Sequence, residues 1–140
     1  MPYNILIVDD SKSMRQILRK ILVVSGFKLG ECLEASNGEE ALRLLEDNWV
    51  DLILSDIHMP VMDGFGLLRN LRKHDDWSDL PVVLVTTESN EHRIQEAIAL
   101  GARGYIRKPF KPEEIKAHLN EIIGESDGDG TAFGDGESDF

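Results

Sequence analysis

The chain has 140 residues, 41% hydrophobic and 29% charged, with a formal net charge of −11. This predicts a single globular domain and argues against a general binder of nucleic acid or anionic membranes. Cys32 is the only cysteine, so it has no partner for an internal disulfide. The chain opens with no basic-then-apolar leader and has no apolar run of membrane-spanning length, so we expect a cytoplasmic protein without membrane insertion.

Strand and helix signals alternate along the chain. Apolar runs predict inner strands at 4–8, 50–55, 80–86 and 103–107, and a weaker run predicts an edge strand at 30–36. Between and after them, apolar residues recur at helical spacing over 14–22, 41–45, 67–71, 94–100 and 115–123. Ser11 fits an N-cap, and Gly101 and Gly124 fit helix ends. Strand followed by helix, repeated in this way, predicts an α/β fold with a doubly wound parallel sheet.

The last residues differ from the rest in composition. The segment "ESDGDGTAFGDGESDF" (125–140) holds six acids and no Lys or Arg. Such a Gly, Asp and Ser composition cannot bury enough apolar surface to fold. We therefore predict one domain over 1–124 and an acidic, disordered tail over 125–140. In the alternative interpretation the tail is a docking peptide anchored by Phe133 and Phe140.

Polar residues follow several of the predicted strands. In an open parallel sheet, ligands bind beyond the carboxyl ends of the strands. Five residues occupy such positions: Asp9 and Asp10 after the first strand, Asp56 after the third, Thr86 after the fourth and Lys108 after the fifth. We expect these side chains to meet at one edge of the sheet.

Three carboxylates at one edge would repel one another. Two of them about 4 Å apart, at an effective dielectric constant near 20, repel by roughly 4 kcal/mol. A hard divalent cation such as Mg²⁺ relieves this, since it takes oxygen ligands and leaves positions for water and phosphate. We therefore predict Mg²⁺ as the cofactor. The alternative, that the acids are helix N-caps, could explain Asp9 or Asp10 but not Asp56.

A metal beside a carboxylate, a hydroxyl and an ammonium group is typical of phosphoryl transfer. A carboxylate can act as the nucleophile and form an aspartyl phosphate. In that chemistry Lys108 would pair with one phosphoryl oxygen, and Thr86 would donate a hydrogen bond to another.

Four motifs carry a resemblance to a known family. They are "VDDS" (8–11), "SDIHMPVMDG" (55–64), "VTTES" (85–89) and "GYIRKPF" (104–110). With these motifs in this order, residues 4–124 resemble the response-regulator receiver domain, and most closely its single-domain, chemotaxis CheY-like type. The resemblance implies a flavodoxin-like sheet of five parallel strands in the order 2-1-3-4-5, with five helices.

The resemblance also implies roles for particular residues. Asp56 would accept a phosphoryl group from a sensor histidine kinase, and Thr86 and Lys108 would contact that group. Mg²⁺ would be held by Asp9, Asp10, Asp56 and the backbone carbonyl of His58. Tyr105 would be an aromatic switch that turns inward as Thr86 moves toward the phosphate.

Two further positions, His58 and Glu88, tune autodephosphorylation in this family. Glu88 fits the chemotaxis type, whereas His58 departs from the Asn common there, which leaves the phosphoryl lifetime and the action of a dedicated phosphatase open. The face formed by the fourth helix, fifth strand and fifth helix would bind a downstream target protein.

The resemblance therefore implies a stand-alone response regulator. It would promote its own phosphorylation and autodephosphorylation without being an enzyme, with chemotaxis or motility as the favoured setting. One alternative is a phosphotransfer intermediate in a multistep relay. Another is an aspartyl-nucleophile phosphohydrolase, but those enzymes place their second acid two residues after the nucleophile, whereas Asp9 and Asp10 are adjacent. A mononucleotide binder would need hydroxyls and amides in the first loop. A binding module on a receiver fold would be expected to lack one of the five site residues, and all five are present.

Overall fold

A computed structural model describes residues 2–124, so the predicted acidic tail lies outside the described residues. The first three strand–helix pairs are β1 (Tyr3–Val8), α1 (Lys12–Val24), β2 (Leu29–Ala35), α2 (Gly38–Asp47), β3 (Leu52–Ser55) and α3 (Gly64–Lys73). The last two pairs are β4 (Val82–Thr86), α4 (Glu91–Ala99), β5 (Gly104–Arg107) and α5 (Pro112–Leu119), and a π-helical turn follows over Asn120–Gly124. The strands form one parallel sheet in the order β2-β1-β3-β4-β5. This confirms the predicted fold class.

The helices cover both faces of the sheet. On one face, α1 and α5 bury Leu18, Leu22 and Ile115 against strand residues such as Ile5. On the other face, α2, α3 and α4 bury a second cluster that includes Leu67. Because both faces are covered, β3 and β4 are buried along their whole length, as their continuous apolar runs predicted.

Some predicted details are wrong. The third and fourth strands begin at Leu52 and Val82, two residues later than predicted. Pro81, which precedes the fourth strand, has no amide hydrogen to contribute to a ladder. Ile17 and Ile98 lie on α1 and α4 as their helical periodicity predicted, and both side chains are exposed.

Side-chain caps fix the loops at the carboxyl edge of the sheet. Ser11, Asn37, Asp63 and Asn90 each accept a hydrogen bond from a backbone amide in the first turn of α1, α2, α3 and α4, respectively. Each cap satisfies an otherwise unpaired amide, which fixes where the helix begins. No helix within residues 2–124 is both long and apolar enough to span a membrane.

An ion-pair cluster joins α1 to β2. Arg15 and Arg19 each place a guanidinium nitrogen 2.9 Å from a carboxylate oxygen of Glu34. Burial by itself would raise the pKa of Glu34, but the hydrogen bonds and charges of the two arginines outweigh it, so this pKa is lowered. The two ion pairs of Glu34 therefore stabilise the fold in the pH range where Glu34 is ionised.

Candidate functional site

The three predicted acids converge at the carboxyl edge of the sheet. One oxygen from each of Asp9, Asp10 and Asp56 lies within 4.8 Å of the others. Asp9 is 2% exposed and Asp56 is 8% exposed, whereas Asp10 faces solvent. The cluster is therefore closed on the protein side and open on the side of Asp10.

The alternative in which Asp9 or Asp10 caps a helix is wrong. The N-cap of α1 is Ser11, whose Oγ accepts a hydrogen bond from the amide of Met14 at 3.2 Å. Asp9 Oδ1 instead accepts from the amide of Ser11 at 2.9 Å. This bond orients the Asp9 carboxylate and leaves its Oδ2 facing the cluster.

Lys108 supplies the positive charge at the cluster. Its Nζ lies 2.7 Å from Asp9 Oδ2 and 3.1 Å from Asp56 Oδ2. Burial by itself would lower the pKa of Lys108, but hydrogen bonds and charges from the two aspartates outweigh it, so this pKa is raised. The Lys108–Pro109 peptide bond is cis, and the Lys108 amide donates to the Thr86 carbonyl at 2.8 Å. The lysine that follows β5 is thus tied to the end of β4 as well.

Backbone contacts fix the position of Asp56. Its amide donates to the Val8 carbonyl at 2.9 Å, which aligns the ends of β1 and β3. Its Oδ1 accepts from the Ile57 amide at 2.6 Å, with a longer contact of 3.4 Å to the His58 amide. Oδ1 is therefore held by backbone while Oδ2 faces Lys108.

Gly64 allows α3 to start close behind Asp56. A Cβ at Gly64 would lie 2.7 Å from the Asp56 carbonyl oxygen and 2.8 Å from Ile57 Cα. The Gly64 amide also donates to the Ile57 carbonyl at 2.8 Å. A side chain at this position would push the backbone around Asp56 out of place.

The two predicted switch residues contact the same loop, between β4 and α4. Thr86 is fully buried, and its Oγ1 accepts from the Glu88 amide at 3.1 Å. Tyr105 is half-buried against the core, and its hydroxyl donates to the Glu88 carbonyl. One backbone segment thus links the end of β4 to the aromatic ring on β5.

His58 and Glu88 contact each other across the mouth of the site. His58 Nε2 lies 2.9 Å from Glu88 Oε1, while the other oxygen, Oε2, accepts from the amides of Asn90 and Ser89. The bond from Asn90 contributes most to lowering the pKa of Glu88, and the bond from His58 adds to it. The sequence motifs indicated both residues, but the contact between them was not predicted. The adjacency of β3 and β4 was the signal that could have revealed it.

The described donors fit a hard divalent cation. Carboxylate oxygens are the ligands that Mg²⁺ prefers, and the exposed side at Asp10 leaves room for water and phosphate. Lys108 neutralises one of the three negative charges, so the cluster keeps a net negative charge. Among residues 2–124, this is the one group of three or more acid, histidine or cysteine side chains close enough to share an ion.

Comparisons with known proteins identify the family and several similar proteins. A family model of the response regulator receiver domain matches residues 5–120. A chemotaxis protein CheY homologue from Campylobacter jejuni is 36% identical over 92% of this chain and 98% of its own length. The structure of chemotaxis protein CheY4 from Vibrio cholerae has a TM-score of 0.79 at 35% identity, covering 87% of this chain and 99% of that one.

A further solved structure, the receiver domain of a sensor histidine kinase from Pseudomonas aeruginosa, holds a magnesium ion in its active site cleft. It is 26% identical with a TM-score of 0.78, covering 89% of this chain and 99% of that one. The chain therefore belongs to the response regulator receiver domain family. Within that family it is a CheY-like receiver of two-component signalling.

Proposed function

We propose that the protein is a stand-alone response regulator that accepts a phosphoryl group on Asp56 from a sensor histidine kinase. The observation that carries this proposal is the cluster at the carboxyl edge. There Asp56 and Asp9 are buried, share one lysine and lie beside a solvent-exposed third acid. A structural role alone does not require three acids at one point, because their mutual repulsion destabilises the fold.

Mg²⁺ is the proposed cofactor, held by Asp9, Asp10, Asp56 and the backbone carbonyl of His58. The ion would neutralise charge that builds up on the phosphoryl oxygens during transfer. The magnesium in the cleft of the Pseudomonas aeruginosa receiver supports this assignment.

In the proposed transfer, an Asp56 carboxylate oxygen bonds to phosphorus while the bond to the kinase histidine nitrogen breaks. Lys108 already contacts Asp56 Oδ2 at 3.1 Å, so its ammonium group is placed to pair with a phosphoryl oxygen. The Thr86 hydroxyl would donate to another phosphoryl oxygen. These residues would position the phosphoryl group and neutralise its charge, which is most of what phosphoryl transfer requires of a protein.

The proposed output is a change of surface. Thr86 would move toward the phosphoryl group, and Tyr105 would turn inward, because both contact the β4–α4 loop through Glu88. The face of α4, β5 and α5 would then bind a downstream target. This face includes β5, which is the outermost strand on one side of the sheet.

Chemotaxis or motility is the proposed setting, supported by the chemotaxis names of the relatives. A step in a multistep phosphorelay is the alternative. We also propose that the protein is a phosphoacceptor rather than an enzyme, and that a dedicated phosphatase is a further partner. The expected cytoplasmic location remains a prediction.

The deciding experiment is phosphorylation by acetyl phosphate, with and without Mg²⁺, followed by intact mass. A gain of one phosphoryl group that requires Mg²⁺ and is absent in Asp56→Asn is the expected result. The matched control is Asp63→Asn, which keeps the helix cap and should still be phosphorylated. Absence of an adduct under every condition would overturn the proposal, and turnover of a generic phosphomonoester would favour a phosphohydrolase.

A further inference from the structure

A groove of about 740 Å³ lies at the opposite edge of the sheet from Asp56. It is formed by the end of α2, the segment leading into β3 and the loop between α3 and β4. Asp51 lines it and lies five residues before Asp56 on the same strand path, a separation of about 16 Å along an extended chain. The groove therefore belongs to no part of the proposed phosphorylation site.

Both tryptophans of the chain line this groove. Trp49 is 78% exposed, and its Nε1 donates to Asp51 Oδ1 at 3.0 Å. Trp77 stacks on His74 with ring centroids 3.8 Å apart and planes 13° apart. At 78% exposure, the ring of Trp49 is accessible to a ligand.

The lining is also acidic. It includes five acids, Glu46, Asp47, Asp51, Asp75 and Asp76, and among residues 2–124 it includes no Lys or Arg. These acids do not converge as those of the phosphorylation site do, since they form no group close enough to share an ion. Asp51 is also committed, because its two oxygens accept from the Asn4 amide and from Trp49. The groove therefore suits a large, delocalised cation better than a metal ion.

Arg72 holds one wall of the groove, the α3–β4 loop, in place. Its guanidinium donates to the carbonyls of Ser78, Leu80 and Leu100, which ties the α3–β4 loop to the end of α4. Burial is the main cause of its lowered pKa, as expected for a side chain enclosed by the loop that it holds. A preformed wall reduces the entropy lost when a ligand binds.

We propose that this groove binds an arginine-bearing segment of a protein partner. A guanidinium can stack on the exposed face of Trp49 while its donors reach the surrounding carboxylates. The other candidate occupants fit less well. A second copy would bring the same acidic surface to the contact, and the segment 125–140 of this chain holds six acids and no base. The inference goes beyond the proposed phosphoacceptor function, because it assigns a second interaction surface at the other edge of the sheet.

A capped, fluorescein-labelled hexa-arginine peptide tests the proposal by anisotropy at physiological salt, with hexa-glutamine as the neutral peptide. We expect saturable binding of hexa-arginine and a change in tryptophan fluorescence, since both tryptophans lie in the groove. Trp49→Ala should weaken binding by about two- to five-fold, the range for an exposed cation–π contact. The double variant Asp75→Asn/Asp76→Asn should weaken it by about five-fold.

The matched control is Glu96→Gln/Glu121→Gln, which removes the same charge from exposed sites elsewhere and should change affinity by less than about two-fold. Equal weakening by both double variants would mean diffuse attraction and would overturn the proposal. No binding, or equal binding of hexa-glutamine, would also overturn it, as would self-association that Trp49→Ala abolishes. Asp56→Asn should bind the peptide normally, so failure of this inference is distinguishable from failure of the proposed function.

Discussion

Replacing Asp56 with asparagine should stabilise the metal-free protein while it removes the response to Mg²⁺. In the absence of metal, the Asp56 carboxylate is attracted by Lys108 and repelled by Asp9 and Asp10. It is also nearly buried, so its charge is poorly solvated. An asparagine keeps the oxygen that accepts from the Ile57 amide and loses the charge.

The magnitude follows from the distances. At an effective dielectric constant near 20, the attraction to Lys108 at 3.1 Å is about 5 kcal/mol. Each of the two repulsions, at the largest separation of 4.8 Å, is about 3.5 kcal/mol. The repulsions together exceed the attraction, so loss of the charge should stabilise the fold by about 1 to 2 kcal/mol. That corresponds to a rise in Tm of roughly 3 to 8 °C for a domain of this size.

The assay is thermal unfolding in EDTA and in a Mg²⁺ series. The unmodified protein should gain stability with Mg²⁺, by about 2.7 kcal/mol when the metal is at 100 times its Kd. Asp56→Asn should start higher in EDTA and gain much less. Glu96→Gln, which removes an exposed charge on α4, should behave like the unmodified protein. A Tm for Asp56→Asn below that of the unmodified protein in EDTA would refute the electrostatic reasoning.

Three further changes test other parts of the structure. Gly64→Ala should destabilise the protein by about 1 to 3 kcal/mol in urea unfolding and slow phosphorylation, because its Cβ would overlap the backbone at Asp56; wild-type values for both would contradict the close approach. Glu34→Gln should lower stability by about 1 kcal/mol at pH 7. Because the pKa of Glu34 is lowered in the folded protein, its ion pairs contribute stability above the ordinary pKa of 4.5, and this stability is lost as the pH falls through the lowered pKa. The urea midpoints of the unmodified protein and of Glu34→Gln should therefore converge in acid. His58→Ala should change the decay rate of the phosphorylated protein severalfold while Mg²⁺ binding is kept, because it frees the Glu88 carboxylate at the mouth of the site; an unchanged decay rate would assign the contact a purely structural role.

The order of strands and helices could be predicted because each element carries a strong local pattern. Continuous apolar runs marked β3 and β4, and the N-cap at Ser11 was correct. Strand order, by contrast, came from the family resemblance, since no local pattern encodes which strands are neighbours. Helical spacing shows which residues share a face but not how far the covering layer extends over that face, and Ile17 and Ile98 are exposed although they fit the spacing.

The residues that meet at the site could be predicted, but not all contacts between their side chains. Strand ends are readable from sequence, and parallel strands place their ends at one edge, so the approach of Lys108 to the acids followed from topology. The adjacency of β3 and β4 brings the loops that carry His58 and Glu88 together, but it does not determine whether the two side chains touch. That contact depends on side-chain rotamers on two loops, which neither periodicity nor motif spacing determines. The groove at the other edge was missed because its acids come from the end of α2 and from two separate loops, and they form no motif.

The two acidic features at opposite edges of the sheet differ in how their charges are arranged, and the difference decides what each can bind. At the carboxyl edge, three carboxylates lie within 4.8 Å and one lysine compensates them only partly, so a small, hard cation fits. At the amino edge, the acids are spread around an exposed indole, and a rigid wall is held from behind by Arg72. Spread charge with an aromatic face favours a planar cation such as guanidinium, which needs several weak contacts rather than close coordination. Because about 16 Å of sheet separates the two edges, a partner held in the groove would leave Asp56 open to the proposed histidine kinase.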